Sequence, residues 1–150
     1  MWNSELKKVV DILKRYNKKI NIGCSSNDLE CLEKKWSVEM HSKLPKDYIS
    51  VISQLNGIDF NGFVLYGFNT DSTKEKLSQR VYDIIDMNKE WYKNKYNEDY
   101  IYLGESNTSW YVYKIDDGTF LELDSPSAEV MECFNTFEEM FKFFLGKSIL

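Results

Sequence analysis

Leu6, Val9, Val10, Leu13 and Tyr16 recur at the three- and four-residue spacing of one helix face, with Ser4 placed to cap the start and lysines on the other side. Gly23 interrupts that pattern. Ser25-Ser26-Asn27-Asp28 then supplies capping side chains for a second helix with Leu29, Leu32 and Trp36 inward. A third helix follows Leu44. Pro45 fits its first position, where a missing N–H has no intrahelical partner, Tyr48, Ile49, Ile52 and Leu55 form the apolar stripe, and Gly57 supplies a left-handed end.

Beyond Gly57 the period shortens to that of strands. Ile58 to Phe60 and Phe63 to Phe68 flank Asn61-Gly62, a favoured hairpin pair. A polar loop from Asn69 to Lys74 leads to a helix with Val81, Ile84, Ile85, Asn88 and Trp91 on one face. Tyr100 to Gly104 reads as a strand, and Trp110 to Ile115 and Thr119 to Leu123 flank a second hairpin turn, Asp116-Asp117-Gly118. Val130 to Phe134 supplies a last short strand. Thr136-Phe137-Glu138-Glu139 then opens a helix with Phe137, Met140, Phe141 and Phe144 inward. Strands joined as hairpins, with helices at the N-terminus, middle and C-terminus, predict an α+β fold around an antiparallel or mixed sheet of five to six strands.

Composition supports a packed domain: 150 residues, 43% of them hydrophobic and 15% aromatic, suit one domain over residues 1–150 with its own core. No linker, repeat or low-complexity tract divides the chain. The opening residues from Met1 and Trp2 to Lys8 are charged throughout, and no apolar stretch follows that would serve as a signal or a membrane span, so the expected location is the cytoplasm. Cys24, Cys31 and Cys133 are odd in number and unevenly spaced, which predicts reduced thiols acting as small core residues.

Charge separates the two halves of the chain. Residues 1–56 hold 10 Lys and Arg against 7 Asp and Glu, a net of +3, whereas residues 57–150 hold 9 against 17, a net of −8. Between Asn97 and Glu139, Lys114 is the only basic residue among eleven acids. Such a surface repels phosphate backbones and disfavours direct nucleic-acid binding.

Candidate chemistry is sparse. His41 is the sole histidine, and Cys24 and Cys31 stand seven apart, outside common zinc spacing, so neither a metal site nor a His-dependent triad finds its partners. Isolated glycines at turns do not make a phosphate-binding loop. The many carboxylates single out no catalytic pair, and a solvated sheet face accounts for most of them. Tyr100, Tyr102, Trp110, Tyr111 and Tyr113 are read as core packing, with an interaction surface as the alternative. The expectation is therefore no catalytic residue, no cofactor and no metal.

The order of these motifs resembles the SUKH superfamily, in the branch related to fungal cell-wall assembly regulators. Leu44-Pro45-Lys46-Asp47-Tyr48 and Asn56-Gly57 match its Leu-Pro-x-x-Tyr helix ending in Asn-Gly, and Leu65-Tyr66-Gly67 is similar to its next strand. The helix near Asn88, the strand into Gly104, the hairpin from Trp110 to Leu123 with Asp124, and the Phe-rich last helix follow in the family's order, covering roughly Leu29 to Leu145. The resemblance implies a non-catalytic α+β domain, most often an immunity protein that binds and neutralises a cognate bacterial toxin. It implies that Leu44, Pro45, Tyr48, Asn56 and Gly57 serve the fold. The alternative it carries is a regulatory scaffold for an endogenous protein. An acidic domain suits a basic partner such as a nuclease toxin, and Asp116, Asp117, Glu122 and Asp124 on the second hairpin are the expected contacts, with Leu121 and Leu123 pointing inward.

Overall fold

A computed structural model describes residues 3–74, 77–93 and 98–150 of the chain; Met1, Trp2 and Asn97, named above, lie outside the described residues. The elements run α1 (Asn3–Arg15), α2 (Ser26–Met40), α3 (Lys46–Ile52), β1 (Ile58–Phe60), β2 (Phe63–Leu65), α4 (Asp71–Lys74), α5 (Ile84–Trp91), β3 (Tyr100–Glu105), β4 (Ser109–Lys114), β5 (Phe120–Asp124), β6 (Val130–Phe134) and α6 (Phe137–Ile149). The strands form one six-stranded sheet in the order β1-β2-β3-β4-β5-β6, with every neighbouring pair antiparallel. The architecture is the expected α+β one.

Helices cover both faces of this sheet. Adjacent strand residues point to opposite sides, so Trp110 and Tyr111 mark the two faces. On one, α6 packs its rings edge-on against the strands, Phe144 with Tyr111 at 5.1 Å and Phe137 with Phe120 at 5.7 Å. On the other, Trp91 of α5 meets Trp110 at 5.4 Å and Tyr102 at 6.0 Å. α1 lies against α6. Fully burying one such Phe or Leu stabilises the fold by about 1.5–3 kcal/mol.

Side-chain amides fix where strands stop and helices dock. Asn56 is buried and grips the backbone of Phe68 twice, accepting its N–H at 2.8 Å and donating to its carbonyl at 2.9 Å. Asn88 treats Tyr102 in the same way, accepting its N–H at 2.7 Å and donating to its carbonyl at 2.8 Å. Tyr48, also buried, donates its hydroxyl to the Tyr66 carbonyl at 2.6 Å. Gly57 takes φ +79°, and a Cβ there would stand 2.9 Å from the Leu65 carbonyl oxygen. Tyr48, Asn56 and Gly57 thus hold the α3 segment onto the strand that follows it.

Several local expectations are corrected. Ser4 is a residue of α1 itself rather than its cap, and Tyr16 sits beyond the end of the helix, 72% exposed. Pro45 is the N-cap of α3, not its first residue, and α3 ends at Ile52, with Leu55 buried in the turn beyond. β2 stops at Leu65 because Phe68 is claimed by Asn56 and the Gly67 N–H goes to the Tyr82 carbonyl at 2.9 Å. The expected loop holds α4, set by reciprocal bonds in which Thr70 N–H reaches Thr73 Oγ1 at 2.6 Å and Thr73 N–H reaches Thr70 Oγ1 at 3.0 Å. Only Cys24 is a core thiol; Cys31 and Cys133 are exposed.

Candidate protein-interaction surface

Of the four acids expected to form one contact surface, the structure keeps three at or near the surface and removes the fourth. Asp116 and Asp117 occupy the β4–β5 turn, made possible by Gly118 at φ +72°. Asp117 accepts from Thr119 Oγ1 at 2.6 Å and Thr119 N–H at 3.1 Å, and Lys114 approaches it at 3.6 Å. The Thr119 hydroxyl bond, followed by the Thr119 N–H, holds its carboxyl below the usual range. Asp124 closes β5 at the opposite end and accepts from Ser127 Oγ at 2.7 Å. With β5 running between them, Asp124 stands at least about 13 Å from the Asp116-Asp117 turn, at roughly 3.3 Å per strand residue.

Glu122 is not a surface acid: it is 1% exposed. It lies on the α6 face of β5, where its Oε2 accepts from Tyr111 Oη at 2.9 Å and from Lys147 Nζ at 3.1 Å. Burial, and then the Glu122 charge, push the Tyr111 phenol well above its ordinary value. Leu121 and Leu123 are buried as expected, but the face opposite to them is buried too. Strand alternation was right about direction; α6 is what keeps solvent from Glu122.

The exposed counterpart of this hairpin is β6, which the sequence did not flag. β6 is the last strand in the sheet, so among the described residues its outer edge has no strand beside it. Val130 and Met131 are 57% and 56% exposed, and Glu129, Glu132 and Cys133 are exposed with them. The pairing of β5 with β6 shifts register between Glu122 and Leu123, so strict alternation no longer dictates which β6 residues turn inward. Phe134 alone of this strand is buried, against Phe143 at 5.1 Å. An apolar pair flanked by Glu129 and Glu132, beside Asp124 and on an open edge, has the composition of a protein-docking strip. Edge position and register shift are tertiary facts, which is why periodicity missed it.

The aromatic series divides between the two faces. Tyr102 and Tyr111 are buried, and Tyr100, Trp110 and Tyr113 half-buried, so packing is their main role. Tyr66 joins them, donating to Glu105 Oε1 at 2.7 Å and accepting from Trp91 Nε1 at 3.1 Å. Burial foremost, and then Glu105, raise the Tyr66 phenol far above its ordinary range. The Tyr66 and Tyr111 phenols serve as hydrogen-bond donors, to Glu105 and Glu122.

His41 is exposed and ends α2 in a left-handed conformation at φ 56°. Among the described residues no group of three or more His, Cys, Asp or Glu is placed to hold a metal ion. Among the same residues no helix is long and apolar enough to cross a membrane.

The model of the SMI1 / KNR4 family (SUKH-1) matches residues 23–142, from the glycine before α2 into α6. The chain belongs to the SMI1 / KNR4 family. Compared with curated protein sequences, it finds no match. Within the SUKH-1 match, Tyr48, Asn56 and Gly57 are the residues whose structural work is described above, while Leu44 and Pro45, both half-buried, lead the chain into α3.

Proposed function

We propose that this SUKH-1 chain acts as one cytoplasmic, non-catalytic domain over residues 1–150, an immunity protein that binds a cognate toxin and blocks it. The observation that carries this is the acid-flanked apolar edge formed by Asp124, Glu129, Val130, Met131 and Glu132. Exposed apolar residues supply the desolvated centre of an interface, and a rim of like charge steers an oppositely charged partner and raises its association rate. The partner is a basic protein, such as a nuclease toxin. A contiguous core running from Val9 to Leu145 supports one domain, and the acidity of residues 57–150 disfavours nucleic acid as the direct ligand.

Asp116 and Asp117 form a separate, secondary contact at the other end of the hairpin, and Glu122, buried beneath α6, takes no part. The test is co-expression with the product of the adjacent reading frame, scoring growth rescue and co-purification. Rescue with a stable complex supports immunity. A neighbouring frame that is harmless and does not co-purify rejects it in favour of a regulatory scaffold, the other role that the family accommodates.

A further inference from the structure

The basic N-terminal half carries its own concave feature. His41 reverses the chain after α2 through its left-handed backbone, and Trp36 Nε1 donates to Ser42 Oγ at 3.0 Å, tying the following loop back over the helix. Between α2, this loop and α3 lies a cleft of about 480 Å³, within the roughly 300–1,000 Å³ of ligand pockets. Trp36, Leu44 and Ile49 give it an apolar lining, and Lys34, Lys43 and Lys46 stand at its rim with Glu33 as the one acid among the lining residues.

Trp36 is buried, Leu44 and Ile49 are half-buried, and the three lysines are exposed. Among the described residues no ion pair engages Lys34, Lys43 or Lys46. Three unneutralised ammonium groups around an apolar cleft leave a local net of +2 on a chain whose total is −5. The sign is opposite to that of the β6 edge.

We propose that this cleft is a second docking site, one that takes a short acidic segment of a partner protein with an apolar anchor residue. The anchor lies against Leu44 and Ile49, above the buried Trp36, and carboxylates on either side reach Lys34, Lys43 and Lys46. Nucleic acid is the less suitable occupant, because the lining between the lysines is aliphatic at Leu44 and Ile49 and Trp36 is too buried to offer a stacking face. The site goes beyond the toxin-binding role and stands on different residues, so either can fail alone.

The probe is a fluorescein-labelled seven-residue peptide alternating Glu and Leu, followed by fluorescence anisotropy against the full chain, with amide resonances recorded in parallel. Saturable binding is expected, weakening at least tenfold in a Lys34→Glu, Lys43→Glu, Lys46→Glu variant whose circular dichroism is unchanged, with shifts centred on residues 33–49. Leu44→Ala is expected to weaken it while leaving the charges intact. Absence of saturation, equal binding by the triple-Glu variant, equal affinity for a Lys-Leu peptide, or tighter binding of a single-stranded RNA oligonucleotide would each overturn the proposal. Self-association that the triple-Glu variant abolishes would also overturn it, since the occupant would then be a second copy of this chain.

Discussion

Lys147 of α6 sets its ammonium 3.1 Å from Glu122, a carboxylate that β5 and α6 enclose together. Lys147 itself is 42% exposed, so solvent screens one end of the pair, and its ammonium also lies 4.6 Å from the centroid of the Phe143 ring. Replacing Lys147 by Met leaves the Glu122 charge with Tyr111 as its donor. The expected cost is about 1–2 kcal/mol, below that of breaking a fully buried pair. Urea denaturation of Lys147→Met, Glu122→Gln and the double variant checks it: coupling near zero would mean that the pair contributes nothing to folding.

Asn56 makes a sharper prediction. Asn56→Ala strands the N–H of Phe68 and leaves its carbonyl with only the longer 3.3 Å bond from Thr73 Oγ1, and should cost on the order of 2–4 kcal/mol. Asn56→Asp keeps the acceptor for the Phe68 N–H but loses the donor to its carbonyl, so it should also destabilise substantially. A thermal melt showing either variant within about 0.5 kcal/mol of the parent, the usual scatter of surface substitutions, would contradict the role given to this carboxamide.

The three thiols should separate by burial. Burial, aided by Asp28, pushes the Cys24 thiol up to about 12, whereas Cys31 and Cys133 are exposed. A thiol reagent at pH 8 should modify two groups in the folded chain and the third only after denaturation. The raised value also fixes a sign. Unfolding releases a Cys24 proton once the pH passes the ordinary thiol value of 9.0, so stability falls as the pH rises from there toward about 12. Cys24→Ala should flatten that alkaline decline, and an identical decline in the variant would refute the assignment.

Apart from α4, element types were readable because each was announced locally. Ser25 and Asp28 form the expected reciprocal cap, with both bonds at 3.1 Å, and Thr136 caps α6 by accepting from the Glu139 N–H at 3.2 Å. Asn61-Gly62 and Asp116-Asp117-Gly118 sit in the turns where hairpin chemistry places them, with Gly62 and Gly118 at positive φ. The candidate surface was harder to read. Whether Glu122 or Val130 meets solvent depends on where α6 lies and which strand is outermost, and neither is encoded within a window of neighbouring residues. The cleft beside Trp36 was equally hidden, since its lysines come from a helix, a loop and a second helix.

Charge reversal separates the two ends of the acidic hairpin. Asp124→Lys with Glu129→Lys and Glu132→Lys should weaken partner binding far more than Asp116→Lys with Asp117→Lys, because only the first set flanks exposed Val130 and Met131. Equal losses would make the effect one of net charge rather than of a docking strip.

Calorimetric titration of the purified chain with the product of the adjacent reading frame tests most directly whether it acts by presenting this edge. A saturable complex is expected, weakening with added salt and losing at least about tenfold in affinity, roughly 1.4 kcal/mol, in the Asp124, Glu129 and Glu132 reversal variant. Binding of unchanged strength and unchanged salt dependence in that variant would contradict it.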